Sequence, residues 1–233
     1  MRAVGIVGTV QRIWRYPVKS LGGELLAQVD VEERGLAGDR WFAVRDGDGK
    51  LGSGKNTRRF RRMDGLLRLR ARYTADGLAL LDPAGRPVPD DYLREFLGRD
   101  DVELAEENAV PHFDELPVSV LTTATLEWVR DAVPGVPVDE RRFRPNLLVR
   151  TPPGTPPFAE QDWLGDEATV GGAGLAFVRA SERCVMVNQA QPGLAHSPLV
   201  LRAIARDNAN LLGALATVTR PGRIRVGDAL VFG

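Results

Sequence analysis

The sequence predicts a mainly β protein of α+β character, with strands closing into barrels and few short helices. Three observations predict it. Strand-like segments are short and numerous, each bounded by Gly, Pro or Asp. Helical patterning is confined to three brief stretches scattered among them, without the regular alternation that a doubly wound sheet requires. The 233 residues are 43% hydrophobic, enough to fill the core of one large domain or two small ones.

In chain order, residues 4–13, 25–31 and 40–45 read as strands. Leu67, Leu69, Ala71 and Tyr73 then alternate with Arg68, Arg70 and Arg72, a period-two strand with an arginine face. That face reads either as a solvated surface or as a nucleic-acid stripe. No aromatics interleave with the arginines, which favours the solvated surface. Asp76-Gly77 signals a hairpin turn. Helices are predicted over 90–97, over 123–132 with a Thr122 or Thr123 cap, and over 198–208 with Ser197 as cap and Pro198 in the first turn. The apolar run Leu147-Leu148-Val149 reads as a buried strand. Further strands are expected at 175–179, 213–219 and, after a Pro221-Gly222 turn, 223–232. An acidic stretch from Asp100 followed by Pro111 places a boundary near 108, giving domains 1–108 and 109–233 whose halves can intertwine; 151–157 reads as a surface loop.

Composition excludes several function classes. Formal net charge is +0, so no global field draws the chain to nucleic acid or to an anionic membrane. No apolar run approaches the roughly 18 residues of a membrane span, and the N-terminus lacks a secretory pattern. A cytoplasmic setting is therefore expected, where a lone thiol stays reduced. One cysteine permits neither an intramolecular disulfide nor a multi-cysteine zinc site. Of the 31 basic residues only Lys19, Lys50 and Lys55 are lysine. Arginine suits bidentate phosphate or carboxylate contacts, but for most of these residues base composition of the genome is the favoured reading.

Several motifs carry chemistry. Tyr16-Pro17-Val18-Lys19-Ser20 presents Lys19 and Ser20 in a turn after the first strand; Gly35 to Phe42, GLAGDRWF, sets Asp39 and Arg40 at the mouth of another. In Arg142-Phe143-Arg144-Pro145-Asn146, the proline is expected to extend Arg144, leaving its guanidinium free to fork onto a phosphate and the Asn146 amide to meet a heterocycle. Phe158 to Trp163, FAEQDW, adds the carboxylates Glu160 and Asp162. Ser181-Glu182-Arg183-Cys184 sets the lone thiol near Arg179 and Arg183. Such neighbours favour a thiolate, both nucleophile and soft metal ligand; a buried inert cysteine is the alternative. No P-loop, dinucleotide fingerprint or zinc spacing is present, and His112 and His196 are far apart in sequence.

Taken in order, YPVKS, GLAGDRWF, PVSVLT, RFRPN, FAEQDW, SERC and the terminal GRIRVGDALVF resemble the MOSC-domain family with its N-terminal β-barrel domain, over nearly the whole chain. The resemblance implies a molybdenum cofactor, a pterin with a terminal phosphate and a dithiolene-held metal (Mo-molybdopterin). It implies Cys184 as the molybdenum ligand and catalytic centre, and Lys19, Ser20, Arg40, Arg144, Asn146 and Arg183 as cofactor contacts. Ser53, Lys55, Thr57 and Arg58 match a less regular polar segment, from which Lys55 is taken as a further contact. Animal members have Asp-Thr-Ser-Pro where this chain has Asp114-Glu115-Leu116-Pro117, so Thr122 at the following strand end is the expected substitute. The implied activity is reduction of N-hydroxylated or N-oxide small molecules, with Glu160 and Asp162 as candidate proton donors. The chain has no cysteine cluster for an iron–sulfur centre, so electrons are expected from a separate donor protein. The alternative is a carrier of the cofactor, or of a persulfide on Cys184, without turnover.

Overall fold

The computed structural model describes residues 5–108 and 110–233. Val4, the first residue of the expected opening strand, and Ala109, at the expected domain boundary, lie outside the described residues. Seven strands close into a barrel. Their order is Leu147–Arg150, Val118–Thr122, Leu211–Arg220, Ala173–Glu182, Glu167–Val170, Ala229–Phe232 and Gly5–Arg15, which pairs back onto Leu147–Arg150. Closure leaves no free edge along this ring. The one parallel pair within the barrel, Val118–Thr122 beside Leu147–Arg150, needs a crossover, and the helix Thr123–Ala132 lies within it.

Alternation within Val118–Thr122 sorts the side chains. Val118 and Val120 enter the barrel core, whereas Leu121 joins a second cluster under the helices Thr123–Ala132 and Leu199–Asn208. Trp163, Phe177 and Phe232 fill the barrel, with ring centroids 5.1–5.9 Å apart in edge-on and tilted geometry.

The first half adds a sheet in which Phe42–Arg45 pairs with Val18–Lys19, Leu51–Ser53 and Glu103–Glu106, and Leu51–Ser53 pairs with Phe60–Arg62. A three-stranded meander, Arg70–Thr74, Gly77–Leu81 and Pro87–Val88, completes it. Val18, Leu21, Val44, Leu66, Leu69 and Leu80 form its core. The halves exchange strands: Gly5–Arg15 belongs to the barrel, and Gly222–Arg225 pairs with Gln28–Glu32.

Several boundaries differ from the sequence reading. The expected strand 25–31 is two, Glu24–Leu26 and Gln28–Glu32, because each pairs with a different neighbour. The terminal strand 223–232 likewise breaks at Gly227, whose φ of 96° suits glycine. Leu67 lies in a 3₁₀ turn, Leu66–Arg68, so the arginine-faced strand starts only at Arg70; Arg68, Arg70 and Arg72 are exposed throughout. The acidic stretch is no simple linker, since Glu103–Glu106 is a paired strand. Among the described residues the α-helices are three: Tyr92–Leu97, Thr123–Ala132 and Leu199–Asn208. None is long and apolar enough to cross a membrane.

Trp163 is 1% exposed. Truncation there removes the largest ring of the barrel core, so Trp163→Ala should destabilise the protein by about 3–5 kcal/mol. Chemical denaturation checks this; a loss under about 1 kcal/mol would show that the core is not closed around that ring.

Candidate functional site

The strand Gly5–Arg15 ends where Trp14 donates its N–H to the Asn146 carbonyl at 2.8 Å. This brings the turn after Tyr16 against the turn after Arg142. Between them and the end of the strand Ala173–Glu182 lies a cavity of about 280 Å³ at the seam of the two halves. Lys19, Ser20, Arg40, Lys55, Arg144, Arg183 and Cys184 line it. So do Ser53, Asp114, Glu115, Ser119, Arg142, Glu182 and Met186. Six basic side chains on this wall face three acidic ones, so the cavity is cationic within a chain of zero net charge.

Three of the lining residues have left-handed backbones: Ser20 (φ 64°), Arg40 (φ 53°) and Arg144 (φ 53°). The extended Arg144 expected from its following proline is therefore corrected. Its N–H caps the preceding 3₁₀ turn through the Glu140 carbonyl at 3.1 Å, which pulls it into the left-handed region. Arg40 is likewise in a turn rather than in a strand, its N–H bonded to the Tyr16 carbonyl at 2.7 Å. Such conformations cost about 1–3 kcal/mol each and persist where surrounding structure dictates them.

Tyr16 sits beneath this corner. Its ring carries Arg144 at 4.1 Å and Arg40 at 5.2 Å, and its hydroxyl donates to the Pro145 carbonyl at 3.3 Å. Arg40 is neutralised by Asp39. Among the described residues Arg144 has no carboxylate partner: one nitrogen donates to the Leu21 carbonyl, and Nη2 is buried with no acceptor. Burial and the nearby Arg40 push its pKa down to about 10.

Arg183 repeats the pattern. Its Nε donates to the Leu212 carbonyl at 2.7 Å and Nη1 to the Phe143 carbonyl at 2.9 Å, while Nη2 is buried without a partner among the described residues. Burial pushes it too down to about 10, against the opposing pull of Cys184 and Glu160. Gly213, with φ 85°, makes room for it; a Cβ there would lie 2.9 Å from Nη2. Two buried guanidiniums without counter-charges are costly unless an anion completes them. Arg142, by contrast, is consumed by the carbonyls of Pro137, Val187 and Ala195 and serves the fold.

Lys19 and Lys55 approach one ring, Phe60, at 4.9 and 5.2 Å. Lys19 pairs with the exposed Asp114. Burial lowers its pKa to about 8, the carboxylate resisting. Cys184 is half-buried at the start of the 3₁₀ turn Val185–Asn188. Among the described residues no three His, Cys, Asp or Glu side chains gather into a metal-ligand set. A metal here would take one protein ligand, Cys184, and its remaining ligands from a bound molecule.

Two expected contacts are not on the wall. Asn146 is fully buried as a clasp: its Oδ1 accepts from the Ser119 N–H at 3.1 Å and its Nδ2 donates to the Trp14 carbonyl at 3.3 Å. Thr122 caps the following helix through the Thr125 N–H and donates to Glu160 at 2.7 Å. Glu160, fully buried, takes Thr122 and Thr125 as donors, and burial raises its pKa; Asp162 is exposed, and neither lines the cavity. Thr57 and Arg58 are exposed and off the wall, and Arg179 pairs with Glu115. Ser119, Tyr16 and Gly213 were missed. Ser119 stood in PVSVLT in plain view, but only strand parity tells its face from that of Thr122, three residues on.

Comparison with known proteins agrees with this architecture. A family model described as the MOSC domain matches residues 107–231, and one described as the MOSC N-terminal beta barrel domain matches residues 7–105. The chain belongs to the MOSC domain family. This MOSC protein is 24% identical over 287 residues to mitochondrial amidoxime-reducing component 1 of Mus musculus, covering 95% of the chain and 81% of that protein. The crystal structure of the YuaD protein of Bacillus subtilis has a similar fold, with a TM-score of 0.54 at 13% identity over 99% of this chain and 98% of that one.

Lys19 sets a pH dependence. Its folded pKa of about 8 lies below the ordinary 10.5, so the buried charge penalises the fold below pH 8 and the penalty fades as pH rises from there towards 10.5. Anion binding in this cavity would run the other way, because it would use the ammonium. Sulfate affinity, measured by calorimetry from pH 7 to pH 9, should fall once pH passes about 8, and Lys19→Met should flatten the profile. A wild-type profile as flat as the variant's would remove Lys19 from the anion site.

Proposed function

We propose that this MOSC protein binds a molybdenum cofactor and reduces N-hydroxylated or N-oxide compounds with electrons from a separate donor protein. One observation carries the reading: two buried guanidiniums, Arg144 and Arg183, each with an unpartnered nitrogen, share a single cavity with Lys19, Lys55 and the only cysteine. That set fits a molecule with an anionic end and a metal that accepts one thiolate. The similarity to an amidoxime-reducing component supports the reaction class.

When bound, the cofactor supplies two-electron removal of oxygen at molybdenum. The chain's own residues do the rest. Lys19, placed in a paired strand rather than in the turn expected from its motif, holds the anionic end together with Lys55 and with Arg40 and Arg144, whose turns are locked in left-handed conformations. Cys184 supplies the thiolate, and Arg183, next to it in sequence, stabilises that charge. Asp39 and Tyr16 keep Arg40 and Arg144 in place. Thr122 and Asn146 act through the fold rather than on the ligand.

Arg144→Ala should weaken cofactor binding by about 1.5–3 kcal/mol, the range for a charge-assisted hydrogen bond. Pterin content of protein from a cofactor-producing host measures this, and an unchanged content would refute the assignment. Cys184→Ser should keep the pterin, since the basic contacts survive, while losing amidoxime turnover and sulfur scattering at molybdenum in X-ray absorption. Wild-type turnover in that variant would end the thiolate reading. Wild-type holo-protein that holds cofactor yet reduces nothing when supplied with electrons would make the protein a carrier.

A further inference from the structure

We infer that Ser119 donates a hydrogen bond to the pterin end of the bound cofactor and is the hydroxyl contact that Thr122 does not provide. The inference rests on the molybdenum-cofactor reading of the same cavity. Ser119 is 7% exposed and lines the cavity, yet its Oγ has no hydrogen-bond partner among the described residues. A hydroxyl can donate once and accept twice, and nearly all buried ones in folded proteins are satisfied. This one is buried and unsatisfied in a residue that lines a ligand-sized cavity.

Its position is built rather than incidental. The Ser119 N–H donates to Asn146 Oδ1 at 3.1 Å, and its carbonyl accepts from the Asn146 N–H at 2.7 Å. Its register partner, Leu215, lines the same cavity. The strand therefore cannot rotate to satisfy the hydroxyl elsewhere.

Its neighbour decides which end of the ligand it meets. A Cβ on Gly213 would lie 2.9 Å from both Arg183 Nη2 and the carbonyl of Val120, so the unpartnered guanidinium end lies against the backbone one residue beyond Ser119. Two unsatisfied donors, one neutral and one cationic, thus lie along the same strand pair, and Arg183 precedes Cys184 in sequence. Lys19 and Lys55 gather at Phe60 in the other half of the chain, where the anionic end would rest, while Arg40, which reaches the same Asn146 Oδ1 as the Ser119 N–H, is already answered by Asp39. The hydroxyl thus belongs with the thiolate end, where the acceptors are the carbonyl and ring nitrogens of a heterocycle.

The test uses holo-protein from a cofactor-producing host. Pterin and molybdenum per chain are followed during dialysis for wild type, Ser119→Ala, Ser119→Val and Ser119→Thr, with melting temperatures of the apo forms alongside. Valine and threonine have the same shape, so only the hydroxyl separates them. Ala and Val should release pterin about tenfold faster, as expected for one lost hydrogen bond, while Thr stays near wild type. Sulfate affinity of the apo forms should be unchanged in all. Val and Thr behaving alike, or Ala retaining pterin as wild type does, overturns the inference and leaves the cofactor reading intact. A drop in sulfate affinity in Ser119→Val overturns the pterin-end placement. Wild-type protein carrying no pterin overturns both readings.

Discussion

The side chain of Asn146 is the constraint on which the site depends. Fully buried, its amide ties the end of the first strand, through the Trp14 carbonyl, to the fourth residue before Thr123, through the Ser119 N–H. Arg40 also reaches its Oδ1, at 3.4 Å. Three segments far apart in sequence are thereby held within one hydrogen-bonded unit. Loss of the amide would leave buried backbone groups unpaired, the expensive direction of hydrogen-bond energetics. A residue expected to touch a heterocycle instead holds together the wall that the heterocycle would meet.

That wall concentrates positive charge where the protein provides little to neutralise it. Asp39 answers Arg40 and Asp114 answers Lys19, but among the described residues Arg144 and Arg183 hydrogen-bond to carbonyls and to no carboxylate. Burial depresses both of them and Lys19 without discharging the arginines near neutral pH. The energy is supplied by the two cores on either side, which hold the turns rigid while the cations stay unsatisfied. Tyr16 makes this possible at the corner, since its ring accepts two guanidiniums that would otherwise repel one another.

The cavity wall also draws on a segment with only an irregular sequence signature. Met186 accepts the Gly54 N–H at 3.0 Å through its sulfur, and a Cβ on Gly54 would lie 2.6 Å from that sulfur. The Ser53–Lys55 lip is thus seated on the turn that follows Cys184. The two halves are bound to each other at the site as well as by the exchanged strands.

By itself the sequence determined the mainly β architecture, the three helices and the motifs that carry the basic residues and the thiol, because alternation, turn residues and charged positions are local properties. Lys19, Arg40, Arg144 and Cys184 were legible for that reason. Tertiary structure alone decided which polar residues face the cavity. Thr122 and Ser119 differ by three positions on one strand, so pleating sends them to opposite faces, where Thr122 meets the distant Glu160 and the buried Ser119 hydroxyl meets no partner among the described residues. Asn146 turned inward because its amide could satisfy two buried backbone groups at once. Arg144 turned left-handed because the 3₁₀ turn before it demanded a cap, which outweighed the local preference imposed by Pro145. Local chemistry named the groups; the hydrogen bonds made across the barrel seam chose which of them were left free.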